Sequence, residues 1–171
     1  MAQLNSTKLL GFLGEVDKEL NKSITLVAVG GTALTLLKAK ASTLDVDFTI
    51  PGKEDFALFK KTLNSIPHGF KVDCYSGDLI FSEALPDDYL KKSIPIKKLK
   101  NIDLRALHPV DIVVTKLARL NERDKQDIGT TIKKFKLTKS RVKNRANQVE
   151  HAGSEESYRT NLDYVLRNFF K

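Results

Sequence analysis

Asp45 and Asp47 stand in the run Asp45-Val46-Asp47-Phe48-Thr49-Ile50, where the first positions alternate acid with apolar. Residues two apart on a strand share a face. At about 3.3 Å per residue, the two carboxylates stand roughly 6.6 Å apart along one side. Two carboxylates placed so can converge on a hard cation such as Mg²⁺ or Mn²⁺, which takes oxygen ligands. An Asp-x-Asp pair on its own is common on solvated strands, so its surroundings decide its meaning. Ile24 to Val29, just upstream, is apolar and β-branched, as a buried strand should be. Gly30-Gly31 breaks that strand and opens a short helix over Thr32 to Ala39. Glycines at a helix start let the backbone approach an anion, and the free N–H groups there attract one. The plainer reading of Gly30, Gly31 and Thr32 is a tight turn.

A third acid, Asp73, follows Val72 on the next expected strand, with Asp78 as its substitute. Two-metal phosphoryl-transfer sites need acids from more than one element to hold ions roughly 4 Å apart. The plain alternative for Asp73 is a strand-end acid bonded to backbone. A fourth element runs Lys116-Leu117-Ala118-Arg119-Leu120-Asn121-Glu122-Arg123-Asp124-Lys125-Gln126-Asp127. Helical spacing puts Lys116, Arg119 and Arg123 near one face. Taken alone, this is a charged helix laced with i,i+4 pairs.

Together these stretches resemble the signature of the DNA polymerase beta-like nucleotidyltransferase superfamily in its minimal single-domain form. Gly30, Gly31, Asp45 and Asp47 fill its glycine turn and Asp-x-Asp strand. Lys40, Ser42, Thr43, Asp45 and Asp47 resemble the Arg-x-Ser-Thr-x-Asp-x-Asp pattern of abortive-infection-type members, with Lys40 in place of arginine. That exchange keeps the charge and loses the bidentate fork. Lys116, Arg123, Asp124 and Asp127 resemble the second motif of the same group, with Pro109-Val110-Asp111 as its helix start. The resemblance implies transfer of a nucleoside monophosphate from a nucleoside triphosphate to a hydroxyl. Asp45 and Asp47 would bind Mg²⁺ or Mn²⁺, and Asp73 would bind metal or activate the acceptor. Gly30, Gly31 and Thr32 would cradle the triphosphate, and Lys116 would neutralise its charge. A toxin acting on transfer RNA, with an antitoxin partner, is the nearest pattern. Two other classes remain open: a non-catalytic nucleotide- or RNA-binding protein on the same fold, and a haloacid-dehalogenase-type phosphatase. The second shares Asp-x-Asp-x-Thr, but here the polar Lys40 to Leu44 precedes the acids where a buried strand belongs.

The elements that must position these residues are legible by period. Apolar spacing predicts helices over residues 4–20 and 53–63, then near 109–121, 124–136, 138–148 and 155–170. Strands are expected at 24–29, 45–50, 70–75, 79–81, 94–96 and 102–107. The expected fold is α+β: a mixed sheet flanked by helices, with a C-terminal helical region. Residues 1–130 would form the nucleotidyltransferase-like part and 131–171 a basic region packed on it, in one compact domain.

Charge is uneven. Residues 1–90 hold 9 Lys/Arg against 12 Asp/Glu, and residues 91–171 hold 20 against 9. Residues 128–149 carry Lys133, Lys134, Lys136, Lys139, Arg141, Lys143 and Arg145 with no acid. Such a stretch is either a solvated surface or an RNA-facing one. Cys74 is the one cysteine, which excludes an intrachain disulfide and a Cys-rich zinc site. His68, His108 and His151 adjoin turn signals and are expected in turns or on the surface. No secretory signal or membrane span is evident, so a cytoplasmic location is expected.

Overall fold

The computed structural model describes residues 3–170. The chain runs β1 (Leu4–Asn5), α1 (Ser6–Glu19), β2 (Ile24–Ala28), α2 (Gly30–Leu36), β3 (Ser42–Thr43), β4 (Val46–Ile50) and α3 (Lys53–Asn64). It continues through β5 (Val72–Ser76), β6 (Leu79–Ile80), β7 (Glu83–Ala84), α4 (Tyr89–Lys92), β8 (Ile94–Lys98) and β9 (Ile102–Ala106). The last part is α5 (Pro109–Lys116), α6 (Glu122–Phe135), α7 (Lys139–Ala146), β10 (Glu150–His151) and α8 (Glu155–Asn168). The fold is α+β, as expected, and the sheet is mixed.

Five strands make the central sheet in the order β5-β4-β2-β9-β8. β2 pairs antiparallel with β4 and parallel with β9, and β4 pairs parallel with β5. The central position of β2 explains its composition: Leu26, Val27 and Ala28 are fully buried, as is Val29 after it. β4 alternates less cleanly. Val46, Phe48 and Ile50 face the core while Asp47 stays partly open on the other side. Leu9, Leu13 and Val16 of α1 are fully buried, and every residue of α5 is buried. An eight-residue helix with no exposed side must lie between other elements; α5 packs against α2, α6 and α7.

The C-terminal helices are pinned by buried polar contacts. Arg145 on α7 grips Asp111 on α5 through Nε and Nη2, and reaches Asp88 through Nη1 at 2.7 Å. On α8, the Tyr158 hydroxyl donates to the Val114 carbonyl at 3.0 Å, and Asn161 donates to that of Leu117 at 2.7 Å. Asp111 therefore anchors α7.

Several short elements carry no periodic signal and were not expected: β1, β3, β7, α4 and β10. β1 pairs with β3, and β10 adds to β7 of the β6–β7 hairpin. The helix expected over 109–121 also stops early, at Lys116. Leu120 has φ 44°, and Asn121 starts a new helix with a full capping box to Asp124. That box is an Asn-x-x-Asp signal inside a charged run. His151 is a further correction. Its side chain is buried against Glu83 and packs tilted against Tyr158, with ring centroids 4.1 Å apart at 46°. His108 caps α5 by accepting from the Val110 N–H, and burial lowers its pKa.

Candidate active site

Asp47 on β4 and Asp73 on β5 are register partners in the parallel pair. Asp45 lies one residue before β4, exposed at its lip. All three border a cleft of about 640 Å³, together with Gly30, Gly31, Lys40, Lys116, Arg119 and Arg123. That volume is in the range of small-molecule sites. Its lining is mostly polar, which suits a charged ligand.

The Asp45–Asp47 loop is held by hydroxyls. Thr43 Oγ1 donates to the Asp45 carbonyl at 2.8 Å, and Thr32 Oγ1 accepts the Asp47 N–H at 2.9 Å. Val29 N–H donates to the Asp47 carbonyl at 3.0 Å, joining β2 to the acid strand. Gly30 and Gly31 are required where they stand. Gly30 has φ 53°, which glycine alone takes readily. A Cβ on Gly31 would come within 2.9 Å of Thr43 Oγ1.

Asp47 carries the electrostatic signature of the site. Burial first, then the neighbouring Asp73 and Asp45 charges, push its pKa up to about 6. Lys71 forms an ion pair with Asp73 at 2.6 Å. Among the described residues, no three His, Cys, Asp or Glu side chains form a ready cage for a metal ion. Asp45, Asp47 and Asp73 are the oxygen donors at the cleft that could hold a hard cation.

Beyond the acids lies a chain of alternating charges. Arg119 donates to Asp124 through Nε and Nη2, at 2.7 and 2.9 Å. Lys116 Nζ lies 2.9 Å from both Asp124 and Asp127, and Lys40 Nζ lies 2.9 Å from Asp127. Lys116 is only 5% exposed. Burial raises the pKa of Asp124, but the Arg119 hydrogen bond and the Lys116 charge outweigh it and bring the pKa down to about 2.

The structure thus brings together nearly all the residues singled out from sequence, with altered parts for some. Thr32 is fully buried and clamps the acid loop without lining the cleft. Lys116 has its ammonium between two carboxylates. Ser42 lines the cleft and donates to Gln3 Oε1 at 3.2 Å. Arg123 is exposed on α6, on a different helix from Lys116. Asp73 reaches the cleft and Asp78 does not. Asp45 precedes its strand, whereas the phosphatase arrangement needs the acid at a strand's C-terminal end. Sequence reasoning missed Tyr75, Phe81 and Lys71, which also line the cleft. Tyr75 shares a strand face with Asp73 and was open to that inference; Phe81 gave no signal.

A glycine turn feeding a mixed sheet flanked by helices, with acids on two adjacent strands beside a basic-walled cleft, is consistent with a nucleotidyltransferase-like fold. Residues 7–170 match the family described as "Nucleotidyltransferase of unknown function (DUF6036)", and the chain belongs to that family. Comparison with curated proteins gave no match. No helix among the described residues is long and apolar enough to cross a membrane.

Proposed function

We propose that the chain moves a nucleoside monophosphate from a nucleoside triphosphate to a hydroxyl, in the manner of the DNA polymerase beta-like superfamily. The observation that carries this reading is Asp47 set beside Asp73 in register, in a cleft bordered by Gly30 and Gly31. Asp45 and Asp47 would hold Mg²⁺ or Mn²⁺, which supplies charge neutralisation at the transferring phosphoryl and the leaving pyrophosphate. Gly30 and Gly31 border the cleft in which the triphosphate would lie. Lys40, Arg119 and Arg123 offer positive charge at the cleft. Lys116 acts by holding Asp124 and Asp127, which in turn aim Arg119 and Lys40. Asp73 accepts the proton of the attacking hydroxyl. The new bond joins that oxygen to the α-phosphorus, and the bond to the bridging oxygen breaks to release pyrophosphate.

The acceptor we favour is an RNA end, with transfer RNA and a toxin-type setting as the specific form. Incubation with α-labelled triphosphates, Mg²⁺ and total RNA should transfer label and release pyrophosphate, and Asp45→Asn should abolish both. Release of inorganic phosphate from a phosphomonoester would overturn the reading in favour of a phosphatase. A second reading, binding without turnover, is favoured by the enclosed Lys116 ammonium. It predicts Mg²⁺-nucleotide binding with no label transferred to any acceptor.

A further inference from the structure

The β6–β7 hairpin turns through two residues, Phe81 and Ser82. Two-residue hairpin turns ask for positive φ at their first central position and are usually filled there by Gly, Asn or Asp. Phe81 stands in that position with φ 56°. A bulky residue in the left-handed region is a costly choice, and such strain gathers at ligand sites.

The Phe81 ring is spent on the cleft. It is partly exposed and lines the cavity. A Cβ on Gly30 would come within 3.3 Å of its Cζ and 3.6 Å of Asp47 Oδ2, so the ring stands next to the acids. Tyr75 packs edge-on against it, with centroids 5.4 Å apart at 66°. Tyr75 lies two residues beyond Asp73 on β5 and shares its face. Tyr75 is therefore on the Asp73 side of the acids, and the Phe81 ring extends from it toward Gly30 and Asp47. Arg119 lies over the Phe81 ring at 5.9 Å, its guanidinium fixed by Asp124. The hairpin is itself braced from behind by β10 and the buried Glu83–His151 contact.

The geometry points to Phe81 and Tyr75, closed over by Arg119, as a subsite that stacks the terminal base of a polynucleotide acceptor whose hydroxyl lies at Asp73. This inference rests on the nucleotidyl-transfer reading. Aromatic faces and guanidinium planes are the surfaces on which unpaired bases stack. Phe81 has no polar atom with which to read a base edge, so the platform is tolerant of sequence. The Arg119 charge adds attraction for the adjoining phosphate. A sugar or a serine hydroxyl has no flat ring for this platform.

The test uses an oligoribonucleotide ending in 2-aminopurine, whose emission falls on stacking; the chain has no tryptophan to interfere. Wild-type protein should quench the probe. Phe81→Leu should lose most of the quench and bind about tenfold more weakly, within the range for one stacked base. Phe81→Tyr should keep both. Phe81→Gly relieves the turn while removing the ring's packing, so it should still unfold cooperatively and lose the quench. No quench with wild type, or equal quench and affinity in Phe81→Leu and Phe81→Gly, overturns the inference. So does α-label appearing on protein and not on RNA. Failure of the underlying reading shows differently: no α-label reaches any acceptor and no pyrophosphate forms, whatever stands at residue 81.

Discussion

Asp47 and Asp73 sit directly across from each other in the parallel register of β4 and β5. Adjacent strands lie about 4.8 Å apart, so two carboxylates are held at close range on one sheet face. Like charges in that position cost stability unless a cation intervenes. Burial first, and the Asp73 and Asp45 charges after it, raise the Asp47 pKa to about 6 from its ordinary 3.8.

The first prediction follows from the sign of that shift. Between pH 4 and 6 the folded chain keeps a proton on Asp47 that the unfolded chain has released. Its contribution to stability is therefore full below about pH 4 and is lost as pH rises through about 6. The loss is up to about 3 kcal/mol by the size of the shift. Asp47→Asn mimics the protonated form. Urea melts should show it more stable than wild type at pH 7.5 and nearly equal at pH 4. Equal melts at pH 7.5 would mean that neither burial nor the neighbouring charges penalise the ionised Asp47.

A second prediction concerns the cation. Without nucleotide, binding of Mg²⁺ should be weak, because the protein supplies only part of its shell. Calorimetry with a nonhydrolysable triphosphate should give binding that depends on Mg²⁺ and disappears with a chelator. The double change Asp45→Asn with Asp47→Asn should remove the Mg²⁺-dependent part. If it binds Mg²⁺-nucleotide as wild type does, these acids do not hold the metal.

The third prediction separates positioning from phosphate contact. Asp124→Ala leaves Lys116 buried with one partner, frees Arg119 and breaks the α6 capping box. Removing one member of a buried charge pair costs about 3–5 kcal/mol. Arg119→Ala disturbs an exposed side chain and should cost about 1 kcal/mol or less. Urea denaturation should separate the two variants clearly, while nucleotide binding should fall in both. Equal stabilities would mean that the network contributes no more than its exposed end.

These contrasts show what the sequence could carry. Strands with a period or an apolar run, such as β2, β4 and β9, were legible, because the core demands their composition. The acids and glycines that the structure gathers at one cleft stood out in the sequence by their types and spacing. β1, β3, β7 and β10 span two residues each, too few for a period to show. The break after Lys116 was hidden because Leu117 and Leu120 continue the helical spacing; the capping box at Asn121 was the available sign. Which cations face the cleft and which are enclosed depends on α5, α6 and the Lys40 loop meeting in space. Lys40 and Asp127 are 87 residues apart in the chain and 2.9 Å apart in the fold. No spacing rule reaches that far.

The last prediction concerns the basic stretch 128–149. Lys133, Lys134, Lys136, Lys139, Arg141 and Lys143 are exposed, whereas Arg145 is 4% exposed and committed to Asp111 and Asp88. Six like charges without a nearby acid repel one another and attract a polyanion. RNA binding should therefore weaken steeply with salt, with a logarithmic slope of about 0.7–0.9 per phosphate neutralised. Changing Lys133, Lys136, Lys139 and Lys143 to Gln should lower affinity and flatten that slope, leaving Mg²⁺-nucleotide binding intact. Arg145→Gln should act otherwise. It strands Asp111 in the core, so it should cost about 3–5 kcal/mol of stability, with no specific change in slope. An unchanged slope in the lysine variant would remove this face from the RNA surface and leave the cleft to hold the acceptor alone.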